Sequence, residues 1–181
     1  MTMKLWALPF GLGILAIISG NIAFIISVNE GFIETCFPYL EGCASISKSG
    51  RHGLAAISFK LMVLPLMALL SVYWFISYNY IKKLIPSYSV KSSLMLTLGI
   101  IGSLFGILYT AFLGSEGDIY QLLRRFGIYL FFLGTYMAQV MEVIQLSKIN
   151  YLKNLMSFKG MRFLNYLIGF IILISSPFFG L

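Results

Sequence analysis

Five apolar stretches, each long enough to cross a bilayer as a helix, dominate the chain and leave it few folds to choose from. They run over Leu5–Ser27, Leu54–Ile81, Ser92–Leu113, Leu122–Leu146 and Met161–Phe179. A hydrocarbon core about 30 Å thick is crossed by roughly 20 apolar residues in a helix. The rest of the chain cannot offset so much apolar surface in water. Of its 181 residues 59% are hydrophobic and only 10% charged, with a mean hydropathy of +0.91, so a bilayer must be the solvent. The expected fold is an all-α integral membrane bundle of about five transmembrane helices, forming a single domain over residues 1–181. The first stretch follows Lys4 as a signal peptide would. It is about twice the usual apolar length and lacks a small-x-small cleavage site, so a retained helix is expected.

The formal net charge of +7 raises the question of nucleic-acid binding. The basic residues sit singly or in pairs between apolar runs and form no stripe, which argues for membrane orientation instead. Lys4, Lys82, Lys83, Lys91, Lys148, Lys153, Lys159 and Arg162 fall on one side. On the other lie loop 28–53 and loop 114–121, where Glu30, Glu34, Glu41, Glu116 and Asp118 outnumber Lys48 and Arg51. The positive-inside rule then places the N-terminus in the cytoplasm, the C-terminus outside and both mixed-charge loops outside. Cys36 and Cys43, the only cysteines, fall in the first outer loop, where an oxidising compartment favours a disulfide. Two thiols and His52 are one ligand short of a structural metal site, and no metal or other cofactor is expected. A bacterial cytoplasmic membrane is the expected location, with a plasma membrane or endomembrane as the alternative.

Small residues at helical spacing, Gly102 with Gly106, Ala16 with Gly20 and Gly134 with Ala138, read as close-packing faces. Packing within the monomer is the favoured use. Pro65, in the second apolar stretch, predicts a kink. Tyr73, Trp74, Tyr78 and Tyr80 precede Lys82 and Lys83, a pattern of interfacial aromatics followed by snorkelling lysines. The basic segment Lys148–Gly160 reads either as an amphipathic surface element or as a plain connection.

Ionisable residues inside apolar runs are costly in hydrocarbon and so attract functional readings. Lys60 lies roughly 9 Å below the outer end of its helix, where its stem can snorkel or its amine can meet a lipid phosphate. Arg125, Tyr129, Tyr136, Gln139, Glu142 and Gln145 recur at helical spacing and form one polar stripe. That stripe is either an interhelical hydrogen-bond network or a substrate groove. Depth along the helix pairs Glu142 with Lys82 or Lys83 and not with Lys60. Glu34, Glu41, Ser45, Ser47, Lys48, Arg51, His52, Glu116, Asp118, Arg124 and Arg125 gather at the outer loops and adjoining helix ends. Paired arginines suit phosphate, because each guanidinium is a planar fork of donors. Carboxylates beside one histidine have acid–base chemistry available, but no catalytic or phosphate-loop spacing accompanies them.

The run Cys43-Ala44-Ser45-Ile46-Ser47-Lys48-Ser49-Gly50 resembles the C-P-S-[IV]-S…G or P-[YF]-I-S…G stretch that follows the first helix in the Frag/DRAM/Sfk membrane family. Gly114-Ser115-Glu116-Gly117-Asp118 is similar to the acidic, Ser-rich loop that this family carries before its fourth helix. Tyr120 and Gln121 stand where a histidine often follows there. The resemblance implies a five- or six-helix membrane protein that handles lipid near the outer leaflet; GPI-anchor chemistry does not follow from it. The leading expectation is therefore lipid binding or remodelling, with Arg124 and Arg125 on a headgroup phosphate, Lys60 beneath them, Arg51, His52, Glu116 and Asp118 around it, and the disulfide loop as a lid. A non-catalytic subunit docked on another membrane protein through the glycine face is the alternative. A lipid-modifying enzyme using Glu116, Asp118 or His52 comes third, and a transporter, for which no internal repeat is visible, ranks lower still.

Overall fold

The computed structural model describes residues 7–85, 89–149 and 158–175, and every regular element among them is helical. In chain order these are α1 (Ala7–Asn29), α2 (Pro38–Glu41), α3 (Ile46–Ser49), α4 (Gly53–Leu84), α5 (Ser89–Ala111), α6 (Asp118–Leu146) and α7 (Phe158–Ser175). Four of them, α1, α4, α5 and α6, are long and apolar enough to cross a membrane. They fit a multi-pass integral membrane protein. The fifth apolar stretch coincides with α7, but its predicted end at Phe179 lies outside the described residues. So do Lys4, Leu5 and most of the basic segment Lys148–Gly160.

The helices differ from the apolar stretches at their polar ends. α6 begins at Asp118, a full turn before Leu122, because the amide donors of a first helical turn favour a carboxylate there whatever its hydropathy. In the same way α4 runs on through Lys82 and Lys83 to Leu84. It also continues unbroken through Pro65. The loop 28–53, predicted as irregular, contains α2 and α3. Pro38 opens α2 and Gly42, in the left-handed region at φ 64°, closes it, while the Ser45 hydroxyl caps α3 by accepting from Lys48 N at 3.2 Å.

The chain forms two compact units. The first, Met1–Tyr73 with Ser103–Phe131, contains both acidic loops. Its core is Ala23 from α1, Phe59 and Val63 from α4 and Leu113 beyond α5, with Met67 and Tyr109 packed against it. Acyl chains are as apolar as these side chains, so burial supplies little drive in a membrane; close packing and polar contacts between helices must hold the unit. α3 lies against α1, and the Glu30 carboxylate accepts from Leu54 N at 3.0 Å, capping the start of α4.

The second unit is Trp74–Gly102 with Phe132–Leu181. Here α5 and α6 touch through backbone: a side-chain carbon on Gly134 would lie 3.0 Å from Gly102 Cα and 3.0 Å from Leu98 O. The sequence expectation of close packing at these glycines is met inside the monomer. Trp74 departs from the anchoring role expected of it. It is buried, with its ring over Gly99, because the missing side chain there leaves a recess that a flat ring fills. Tyr78 carries Lys82 Nζ 5.5 Å from its ring centre.

Candidate functional site

Two short connections build the site in the first unit. α5 ends at Ala111, and Gly114, at φ 86°, turns the chain so closely past the Arg51 carbonyl oxygen that a side chain at 114 would collide with it. Arg124, in the second turn of α6, reaches back to this turn. Its Nη1 donates to Phe112 O at 3.3 Å and to Ser115 O. These carbonyls follow the negative end of the α5 dipole, a favourable place for a cation. Phe112 packs on Tyr120 with ring centres 5.3 Å apart and completes the α5–α6 connection.

A cavity of about 380 Å³ opens beside this turn, lined by Arg51, His52, Gly114, Ser115, Glu116, Gly117, Gln121 and Arg124. Arg51 and Arg124 lie close enough to repel each other, and both act on the Tyr109 hydroxyl, beside which the Ser47 side chain lies. Neither guanidinium is ion-paired among the described residues. A guanidinium carries five N–H donors, and Arg124 spends only those on Nη1, so Nη2 and Nε have donors left. His52 is positioned by stacking on Phe32 at 5.3 Å. The cavity thus combines two arginines that form no ion pair among the described residues with a neutral amide, a carboxylate and an imidazole.

Of the seven residues expected to meet a headgroup, Arg51, His52, Glu116 and Arg124 line this cavity, and Lys60, Asp118 and Arg125 do not. Lys60 is half-buried in the second turn of α4, while Asp118 and Arg125 are exposed. Gln121 was missed as a candidate. Its signal is the three-residue spacing to Arg124, legible only once α6 is known to start at Asp118. Tyr109 had no sequence signal; Ser47 stood among the outer-loop polar residues, but its nearness to Tyr109 arises only across the fold.

The polar stripe of α6 is put to different uses along its length. In the second unit Gln145 accepts from Ser92 Oγ at 2.6 Å and donates to Met141 O at 3.3 Å, while Glu142, 7% exposed, accepts from Ser77 Oγ at 2.5 Å. This corrects the expected lysine partner: Lys82 stands over Tyr78 and Lys83 is exposed. The short Ser77 side chain reaches the buried carboxylate and gives it a neutral donor. Tyr136 packs on Gly169 of α7, and Gln139 is exposed. In the first unit Tyr129 is half-buried. The buried part of the stripe is therefore hydrogen-bonded structure.

Cys36 and Cys43 form a disulfide with Cα atoms 6.6 Å apart. The Glu41 carboxylate gathers with both sulfurs within 4.8 Å, but sulfurs bonded to each other are not thiolates and offer a metal no such ligand. Comparison of the chain with known protein families, with curated proteins and with solved structures finds no match.

Proposed function

We propose that this protein binds the phosphate-bearing headgroup of a membrane lipid in the cavity between Arg51 and Arg124, at the outer leaflet of a bacterial cytoplasmic membrane. The observation that carries this reading is the pair of like charges lining one cavity, neither of them ion-paired among the described residues. Held together without an anion they repel; a phosphate between them removes the repulsion and accepts from both forks. Depth supports a lipid source. Leu61–Ile81, between Lys60 and Lys82, span roughly 30 Å of helix, the thickness of a hydrocarbon core. Lys60 and Arg125 then lie at the headgroup level, and the cavity opens just beyond them. The resemblance to the Frag/DRAM/Sfk family points the same way. Docking through the glycine face has less in its favour, since Gly102 is filled by Thr135 and Gly134, and Gly106 by Met67 and Phe131.

The test uses Arg51→Gln, because Arg51 is exposed and carries none of the loop-capping bonds of Arg124. Native mass spectrometry of purified protein titrated with phosphatidylglycerol should show affinity falling about tenfold, the equivalent of one charge-assisted hydrogen bond of roughly 1.5 kcal/mol. Diacylglycerol, which lacks the phosphate, should bind weakly to both proteins. Equal phosphatidylglycerol binding by wild type and variant would refute the site.

A further inference from the structure

The connection between α1 and α4 is folded back along α1. The Tyr39 hydroxyl in α2 accepts from Asn21 Nδ2 at 2.8 Å, and Ile46, opening α3, covers Gly20, where an added side-chain carbon would meet it at 3.7 Å. Asn21 lies a little over two turns before the end of α1 at Asn29, roughly 12 Å along the helix. α1 is apolar enough to cross a membrane from Leu8 to Asn29, so these contacts bring the connection alongside the outer part of that span, below the level of its end. Lys60, roughly 10 Å into α4 by the same rise, marks a similar depth.

At that depth the connection turns an apolar surface outward. Phe37, Tyr39 and Leu40 are 55%, 69% and 84% exposed, and they occupy a knuckle that is closed three ways. The Cys36–Cys43 disulfide joins its ends, α2 stiffens its middle and Gly42 turns it back. The one charge within it is the carboxylate of Glu41, and Glu34 lies just before it, both exposed. In water such a patch would be costly. At the boundary of a bilayer these side chains meet lipid in place of water, while the Tyr39 hydroxyl keeps its hydrogen bond to Asn21.

We propose that the disulfide-closed knuckle Cys36–Cys43 is a membrane-surface anchor that inserts Phe37, Tyr39 and Leu40 between lipids at the acyl–headgroup boundary. The partner is the bilayer itself, and the anchor operates whether or not the Arg51–Arg124 cavity binds a headgroup. Its position in the chain adds a consequence. α3 follows directly, with Ser47 beside Tyr109 and Arg51 two residues beyond its end, so the anchor steadies the Arg51 side of the cavity.

The test places a nitroxide on an unnatural amino acid at Leu40, leaving both cysteines paired, in the full chain reconstituted into phospholipid vesicles. Collision rates with oxygen, which concentrates in acyl chains, are compared with those of a water-soluble nickel chelate, and a label at Glu34 gives the aqueous reference. The anchor requires a higher oxygen-to-nickel ratio at 40 than at 34. Equal ratios would mean that the knuckle stands in water, and inaccessibility to both reagents would mean that protein covers it; either overturns the proposal. A label at Phe37 repeats the measurement if substitution at 40 prevents folding.

Discussion

Glu142 and Ser77 show how a charged atom is tolerated inside this bundle. The carboxylate is 7% exposed and meets the Ser77 hydroxyl at 2.5 Å; in a low-dielectric setting each such donor offsets part of a large desolvation cost. Ser77→Ala should lower thermal stability in detergent by about 1–3 kcal/mol, the cost of stripping a donor from a buried charged acceptor. In a Glu142→Gln background the same substitution should cost measurably less, and equal costs would show that the two groups do not act together. At the other end of α4, Glu30 caps the helix through Leu54 N. Glu30→Ala should cost about 1 kcal/mol, read as a lower melting temperature. The depth of Glu142 followed from counting residues along α6. Its partner did not, because the choice between a serine and a lysine depends on which short side chain the facing helix turns inward.

Among the elements, α5 and α6 depend most on what is missing from their surfaces. With Gly134 against Gly102 and the Leu98 carbonyl, a methyl group has nowhere to go but into backbone. Gly134→Ala should therefore destabilise by about 1–3 kcal/mol, as overpacked cores do. Gly11→Ala or Gly13→Ala in α1 meets nothing within 4 Å and should be neutral, or gain up to about 0.5 kcal/mol from helix propensity. A chemical-denaturation series comparing the three variants would separate packing from propensity, and equal losses would argue against the close contact. The connection 28–53 makes a parallel point. Hydropathy gave no sign of α2 and α3, since elements of one turn carry no periodicity; their signals are local, Pro38 at a first helical position and Ser45 three residues before the amide it caps.

For the whole molecule the governing asymmetry is charge. Lys82, Lys83, Lys91 and Lys148 lie at one end of the spans, and the loops with Glu30, Glu34, Glu41, Glu116 and Asp118 lie at the other. The positive-inside rule predicts an orientation with the acidic loops outside. Alkaline phosphatase fused after Gly117 should be active in a bacterial host and inactive when fused after Leu84; the reverse pattern would invert the topology and put the cavity in the cytoplasmic leaflet. The sequence by itself determined that the chain is helical and crosses a membrane several times, because span length and hydropathy are properties of contiguous residues and the thickness of hydrocarbon does not vary with fold. It favoured a pairing of the two cysteines, the only two in the chain and seven positions apart, and the structure places them in a disulfide. Only the tertiary structure decided which polar residues share a site. Arg51 and Arg124 are far apart in the chain and meet because Gly114 lets one turn pass the backbone of another, whereas Arg125, adjacent to Arg124, faces elsewhere because successive helical residues point about 100° apart.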